Sequence, residues 1–379
     1  MRIAVVTETY PPEVNGVALT VQTLVSRMLE DGHDLLLVRP RQPGVSTLPP
    51  ARPIGELLVP GAALPKYPGL RFGFPAGRAL TRLFGAERPD AVYVATEGPL
   101  GWSVVRTARR LEIPVATGFH TRFDAYAGAY GLGPLTLLVR YWLRRLHNAS
   151  GATVVPTAEL RDWLEQRGFQ RVRVVARGVD TNLFDPARRS MKLRERWGVA
   201  PDGLAVIYVG RIAAEKNLEL AIAAFRRIRD RCPAARFIWV GTGPVAPRLA
   251  REHPDFIFTG LRLGEDLAAH FASADLFLFP SLTETFGNVT LEAMAAGVPT
   301  IAFDYGAAHV HLCDREHGRL IATGDDAGFI DAAVAVAGDA EERRAMGAAA
   351  RCAALALCQK RVTREFVGLL AGLTAGAAA

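Results

Sequence analysis

Two acidic side chains, Glu284 and Glu292, flank the run Phe286-Gly287-Asn288-Val289. A helix that starts near Gly287 puts Glu292 in its second turn, pointing toward the loop that carries Glu284. It leaves the N–H groups of Gly287, Asn288 and Val289 without intrahelical partners. Such an end is positively polarised and binds anions. Together the carboxylates and the helix end suit a ligand with both hydroxyls and phosphates, such as a nucleotide sugar. Two solvated glutamates are the plainer alternative. Upstream, Arg211 and Lys216 share the run Gly210-Arg211-Ile212-Ala213-Ala214-Glu215-Lys216-Asn217. Arginine supplies a fork of donors and lysine a point charge, a combination that suits a diphosphate, although two loop cations alone are usually solvated. His120 follows the apolar run 114–118. At the carboxyl end of a parallel strand it faces a ligand crevice, or it is a satisfied structural histidine. Gly16 sits at a helix entry, where a backbone approaches a phosphate closely or where it only caps the helix.

The elements that must carry these residues are legible as apolar runs. Residues 2–7 read as a buried strand, followed by a loop, a helix to about Asp31 and a second strand over 34–38. The first loop lacks the GxGxxG of a dinucleotide enzyme. Residues 39–88 read as loops over the front of the first domain, with a possible strand at 56–59 and a helix around 76–83. Strands at 91–95, 114–118, 152–156 and 172–176 then alternate with helices at 100–111, 135–147 and 158–167. In the second half, strands at 204–209, 235–240, 256–258, 274–280 and 298–303 alternate with helices at 218–231, 267–272 and 289–296. Asn217 is placed to cap the first of these helices, and Gly297 and Pro299 stop the last. Helices at 325–337, 341–356 and 360–373 close the chain. This alternation predicts an α/β fold.

The 379 residues suit two domains better than one. Half the residues are hydrophobic and 22% charged, which favours a large core over disorder. Cys232, Cys313, Cys352 and Cys358 form no CxxC pair and read as buried reduced thiols of a cytosolic protein. The net charge of +7 is uneven: residues 1–180 hold 22 Lys+Arg against 15 Asp+Glu, and residues 181–379 hold 23 of each. Nucleic acid, an anionic membrane surface or an acidic acceptor each fit that excess. In the helix over 135–147, Leu135, Leu138, Trp142 and Leu146 share a face beside Arg140, Arg144 and Arg145. Such a helix is an amphipathic surface element or a membrane-facing one. His309 and His311 lack a third ligand for a metal.

With Pro280-Ser281 before it and Glu292-Ala293-Met294-Ala295-Ala296-Gly297-Val298-Pro299 after it, the Glu284-x7-Glu292 pattern resembles the signature of retaining glycosyltransferases of family 4, which have the GT-B fold. The resemblance extends over about residues 1–370 and is weakest between 40 and 90. It implies two doubly wound Rossmann-like domains facing across a cleft: 1–180 on the acceptor side, rejoined by the helix over 360–373, and 181–359 binding the nucleotide sugar. It implies that Arg211, Lys216 and the helix end at Phe286, Gly287 and Asn288 receive the diphosphate, with the Gly16 amide close to it. His120 and Glu284 would contact the transferred sugar, Glu292 the ribose, and the backbone at Leu261 and Arg262 the base. No metal or other cofactor is implied. The segment Phe119-His120-Thr121 with Phe123, Tyr126 and Tyr130-Gly131, and Arg177-Gly178-Val179-Asp180, where Asn-Gly-Val-Asp is usual, are most like bacterial GDP-mannose-dependent α-mannosyltransferases that act on glycolipids. The expected partners are therefore a nucleotide-sugar donor, a lipid-linked or glycolipid acceptor and an anionic membrane surface, with no nucleic acid. The expected location is the cytoplasm, peripheral on the inner face of the membrane. A UDP-sugar enzyme of the same type and a nucleotide-sugar-binding protein without turnover are the alternatives.

Overall fold

The structure is a computed structural model that describes residues 1–13, 15–42, 55–63, 71–120, 133–284 and 286–377. It divides into two units: Met1–Ala176 with Lys360–Ala379, and Arg177–Gln359. The first unit contains β1 (Arg2–Val6), α1 (Gly16–Glu30), β2 (Asp34–Pro40), β3 (Gly55–Val59), β4 (Gly61–Ala63), β5 (Arg71–Gly73), α2 (Gly77–Glu87), β6 (Ala91–Val94), α3 (Pro99–Arg110), β7 (Val115–Gly118), α4 (Gly133–Asn148), β8 (Ala152–Val155), α5 (Ala158–Glu165) and β9 (Val172–Val174). The second contains α6 (Met191–Arg196), β10 (Ala205–Val209), α7 (Leu218–Arg231), β11 (Arg236–Val240), α8 (Ala246–Glu252), β12 (Ile257–Gly260), α9 (Gly264–Ser273), β13 (Leu276–Phe279), α10 (Asn288–Ala295), β14 (Thr300–Phe303), α11 (Gly306–His311), β15 (Gly318–Ile321), α12 (Asp326–Gly338) and α13 (Ala340–Leu355). The last helix, α14 (Gln359–Ala377), lies almost wholly in the first unit.

The strands of the main sheets are short continuous apolar runs because both faces of a parallel sheet are covered by helices. Among the described residues the first sheet has the order β3-β2-β1-β6-β7-β8-β9 and the second β12-β11-β10-β13-β14-β15. Every pairing in these two sheets is parallel. The chain order reverses between β1 and β6 in one sheet and between β10 and β13 in the other. Ligands bind beyond the strand ends at such reversals. In the first core, Ile3 and Val5 pack with Val21, Val25 and Met28 of α1, and with Phe366 and Leu370 of α14. In the second, Val206 and Tyr208 pack against Phe225, Phe237 and Trp239 on one face of the sheet, and Ile207 and Phe277 against Leu291 and Met294 on the other.

Several expectations are corrected. Residues 39–88 hold more than loops: β2 runs on to Pro40, and β4 and β5 pair antiparallel. The edge strand β15 and the short helices α6, α8 and α11 carry too little apolar pattern to announce themselves. Asn217 stands at the N-cap of α7 in the left-handed backbone region (φ 54°), and its side chain makes no capping bond. A capping side chain needs an extended backbone to reach the first-turn amides. All four cysteines are free, but none is buried, and Cys313, Cys352 and Cys358 are exposed. Of the apolar stripe expected along α4, Leu146 enters the core, whereas Leu138 is 63% and Trp142 39% exposed; Leu143, outside that stripe, is buried, and the Leu135 side chain lies outside the described residues. Among the described side chains, the leucines that reach the core lie in the second half of the helix.

Candidate functional site

The loops after β10 and β13 leave adjacent strands at the reversal of the second sheet, and they bring together residues far apart in sequence. Lys216 Nζ lies 2.6 Å from Glu284 Oε1, with both side chains largely shielded. Ser281 Oγ donates to the same carboxylate oxygen at 2.9 Å, and Tyr305 OH donates to the Glu284 carbonyl at 2.6 Å. Thr283 Oγ1 donates to the Glu215 carbonyl at 3.1 Å, tying one loop to the other. Arg211, on the Lys216 loop, pairs with Glu215 at 3.3 Å and is 44% exposed, so this guanidinium stands at the open side. Beneath both loops, Tyr208 OH donates to the Arg211 carbonyl at 3.1 Å. Burial, then Glu284 and Glu215, push this phenol well above its usual range.

Gly287 adopts φ 93° at the N-cap of α10, a left-handed turn natural to glycine. That turn lets the chain pass from the Glu284 loop into the helix and leaves its first amides at the loop. Asn288 follows as the first helical residue, and its Oδ1 accepts from Arg177 Nη1 at 3.1 Å. The Arg177 guanidinium also stands 5.5 Å from the centroid of the buried Phe286 ring. Glu292, one turn into α10, keeps a little accessible surface, yet burial alone raises its carboxyl from 4.5 to about 7. Among the described residues this carboxyl has no hydrogen-bond partner, which leaves it available to a ligand hydroxyl.

Lys216, Glu284, Phe286, Gly287 and Asn288 thus converge around one helix end, with Arg211 beside them and Glu292 behind. Leu261 and Arg262 follow β12, two strands out at the sheet edge. Leu261 is exposed, and Arg262 donates to the Thr259 carbonyl at 2.7 Å and to Asp266 at 3.0 Å. His309 pairs with Asp304 at 2.7 Å, and burial lowers the His311 imidazole to about 4. Among the described residues no group of three His, Cys, Asp or Glu could hold a metal ion.

Gly16 and His120 belong to the first unit. Gly16 opens α1, whose N-cap is Asn15: its Oδ1 accepts from the Ala18 amide at 2.8 Å. A Cβ on Gly16 would meet no described atom within 4 Å, so packing does not demand glycine there. His120 Nε2 and Tyr93 OH are 2.7 Å apart, and Phe366 of α14 packs edge-on against the Tyr93 ring. The pair passes across the α-carbon of Gly118, where a Cβ would come within 2.3 Å of Tyr93 Oη and 2.5 Å of His120 Nε2. The tyrosines at 126 and 130 and Phe123 lie outside the described residues.

Sequence reasoning missed the partners that hold this machinery: Tyr93, Tyr305, Ser281 and the contacts of Arg177. It also missed two carboxylates at the reversal of the first sheet. Glu8 accepts from the Leu100 amide at 3.0 Å at the start of α3, and burial, opposed by backbone hydrogen bonds, raises its carboxyl to about 7. Glu97 stands 3.7 Å from the buried His147. Their position after β1 and β6 was the available signal.

Two Rossmann-like parallel sheets, one carrying paired carboxylates, loop cations and a helix end at its reversal, define a glycosyltransferase of the GT-B class. The family described as Glycosyltransferase Family 4 matches residues 14–183, and the one described as Glycosyl transferases group 1 matches residues 203–339. The chain is 35% identical to the GDP-mannose-dependent alpha-mannosyltransferase of Mycolicibacterium smegmatis, over 97% of this chain and 96% of that protein. It is 28% identical, over 79% of each, to the GDP-mannose-dependent alpha-(1-6)-phosphatidylinositol dimannoside mannosyltransferase of Mycobacterium tuberculosis. Among solved structures, sucrose-phosphate synthase from Thermosynechococcus elongatus superposes with a TM-score of 0.78 at 19% identity, covering 99% of both chains, and shares the fold. The chain belongs to glycosyltransferase family 4 and is a hexosyltransferase.

Proposed function

We propose that this enzyme transfers mannose from GDP-mannose, with retention of the anomeric configuration, to a glycolipid or other membrane-linked acceptor. The observation that carries the reading is the 35% identity, over nearly the whole chain, to a relative named for GDP-mannose-dependent α-mannosyl transfer. The glycolipid acceptor takes its support from the relative named for a phosphatidylinositol dimannoside.

In this reading the donor diphosphate lies against the amino end of α10, with Lys216 and Arg211 on its oxygens. The bond from the sugar C1 to the phosphate oxygen breaks, and a bond from C1 to the acceptor oxygen forms on the same face. The leaving phosphate takes the acceptor proton. Fixed positive groups stabilise the charge that develops on that phosphate, which is the main catalytic contribution. Glu284 and His120 orient the sugar hydroxyls, Glu292 accepts from the ribose, and the backbone at Leu261 and Arg262 holds the base. The cations and the helix dipole supply the positive charge, so turnover proceeds without a metal and survives a chelator.

The enzyme meets its acceptor at an anionic membrane surface, on the cytoplasmic side. Exposed Leu137, Leu138 and Tyr141 on α4 stand beside Arg140, Arg144 and Arg145, in the half of the chain that holds all the excess positive charge. No helix among the described residues is long and apolar enough to cross a membrane.

The test is a thermal-stabilisation screen followed by turnover. GDP-mannose raises the melting temperature by mass action, and mannose then appears on a glycolipid fraction. Stabilisation by UDP-sugars and not by GDP-mannose overturns the donor. Transfer to soluble saccharides alone overturns the acceptor.

A further inference from the structure

Between α4 and α5 the first unit holds a cavity that the proposed chemistry does not use. Its volume is about 260 Å³. The floor is Phe119, Leu143 and Phe169, all buried in one apolar cluster with Leu160 and Leu164 of α5. Trp163 of α5 and Leu137 of α4 line it above that floor. Three arginines stand at its mouth and are exposed: Arg140 and Arg144, one turn apart on α4, and Arg167, just past α5.

The arginines are held there by contacts that leave their charge uncompensated. The Arg167 guanidinium lies 4.0 Å from the centroid of the Trp163 ring, and its Nη1 donates to the Trp163 carbonyl at 3.0 Å. Arg144 lies over the turn after α5: a Cβ on Gly168 would be 3.4 Å from its Cδ and from its Nη1. Among the described residues no acidic side chain lines the cavity, and Asp162, beside Trp163 in the chain, pairs with Arg161 instead. Like charges around an apolar floor are complementary to a molecule with an anionic head and an apolar tail. A free phosphate would use the arginines alone, and an apolar peptide the floor alone. At about 260 Å³ the cavity is smaller than the roughly 300–1,000 Å³ that enclose a whole small ligand, so it takes part of its occupant and leaves the rest outside. A lipid still seated in a bilayer meets that condition. Leu137 and Leu138, exposed on the same helix, continue the apolar surface outward from the mouth.

We propose that this cavity is a site for one anionic phospholipid. The lipid phosphate rests on Arg140, Arg144 and Arg167, one acyl chain enters between α4 and α5 over Phe119 and Phe169, and the other chain stays in the bilayer. Arginine suits the head because its planar fork takes two phosphate oxygens at once. The aromatic floor suits the chain because it removes methylenes from water. The inference rests on the membrane-surface reading of α4 and deepens it: attraction to a charged surface becomes recognition of a single lipid.

The experiment measures, by calorimetry on the full chain, the binding of monomeric amphiphiles without a bilayer. Alkyl phosphates from hexyl to dodecyl, alkyl glucosides of the same lengths and inorganic phosphate are titrated below their aggregation concentrations. Each buried methylene is expected to tighten the alkyl phosphates about fourfold, until the chain outgrows the cavity. Arg144→Gln and Arg167→Gln should each weaken them by about threefold to tenfold and leave the glucosides unchanged. Leu137→Asp should remove the dependence on chain length, and Leu138→Asp, at the next residue but outside the lining, should keep it. Both leucines are exposed, so neither change threatens the fold. Binding that ignores chain length, or that inorganic phosphate matches, assigns the arginines to a simple anion and overturns the inference. Equal affinity for phosphate and glucoside heads overturns it too, as does an equal effect of the two leucine variants. Anionic vesicles separate this inference from the reading beneath it. If vesicles bind and the alkyl phosphates do not, the membrane reading stands and the lipid site falls. If the alkyl phosphates bind and vesicles do not, the membrane reading falls, and the lipid with it.

Discussion

Lys216 Nζ and Glu284 Oε1 stand 2.6 Å apart. The cation assigned to a phosphate and the carboxylate assigned to a sugar are therefore partners of one another. Neither is buried alone, which would be costly. A donor carrying both a phosphate and hydroxyls can take over both halves of the pair.

Lys216→Ala should remove charge stabilisation from the leaving group and cost about 2–4 kcal/mol of transition-state stabilisation, measured as kcat/KM. Glu284→Gln should also slow turnover strongly, with no covalent glycosyl-enzyme. A double-mutant cycle of the two positions should be non-additive, because each single change strands the other charge. A kcat for Lys216→Ala within about threefold of the parent would refute the phosphate role, given the size of effect expected of such a group. A glycosylated Glu284 seen by intact mass would refute the carboxylate role.

Glu292 gives a pH prediction. Its folded carboxyl is raised from 4.5 to about 7 by burial, so the folded state keeps a proton that the unfolded chain has already lost. Its contribution is undiminished below pH 4.5, falls as pH rises through the window up to about 7, and is constant above it. Glu292→Gln should flatten that part of the melting-temperature profile. A ribose hydroxyl favours the ionised carboxylate, so nucleotide binding near pH 6 should release a proton, visible as a buffer-dependent binding enthalpy, and should release none well above pH 7. Buffer-independent enthalpies at both pH values would remove Glu292 from the ribose site.

Tyr93 is expected to position His120. Tyr93→Phe should lower kcat/KM for sugar transfer while GDP affinity stays unchanged, because the hydrogen bond at 2.7 Å is lost and the ring packing is kept. Gly118→Ala should do the same more severely, since its Cβ occupies the path of that bond. A change in nucleotide affinity that matches the loss of turnover would assign the pair to folding instead.

Membrane association is tested by vesicle sedimentation. Each basic residue near an anionic surface contributes about 1 kcal/mol, and salt screens it. The parent should bind anionic vesicles and release as salt rises, and Arg140/Arg144/Arg145→Glu should bind poorly at any salt. Equal indifference to anionic and neutral vesicles, with full activity on a soluble acceptor, would sink the surface role of α4.

The sequence announced the parallel strands other than β15 because each is an apolar run, and it announced Glu284 and the loop cations because they stand just past such runs. What it concealed were relationships between distant segments. Nothing near His120 in the chain points to Tyr93, 27 residues earlier, and nothing near Glu284 points to Lys216, 68 residues away. Asn217 has the residue type of a cap, but a left-handed backbone turns it from that task. The stripe on α4 is genuine amphipathicity. Which part of it faces the sheet depends on where the helix touches, and composition carries no record of that. Cys352 and Cys358 are exposed for a similar reason: a small apolar type does not say on which side of a helix or loop the core lies.

The closing helix α14 returns to the unit the chain began with, and Phe366 and Leu370 are among its most buried side chains. The order of synthesis is therefore not the order of completion. The first unit leaves the ribosome early with a gap in its core where Tyr93 and Val175 await those side chains, while the second unit, drawn from an uninterrupted stretch, can close on its own. The unit made first is finished last, and a chain halted before residue 360 exposes the pocket that α14 was to fill.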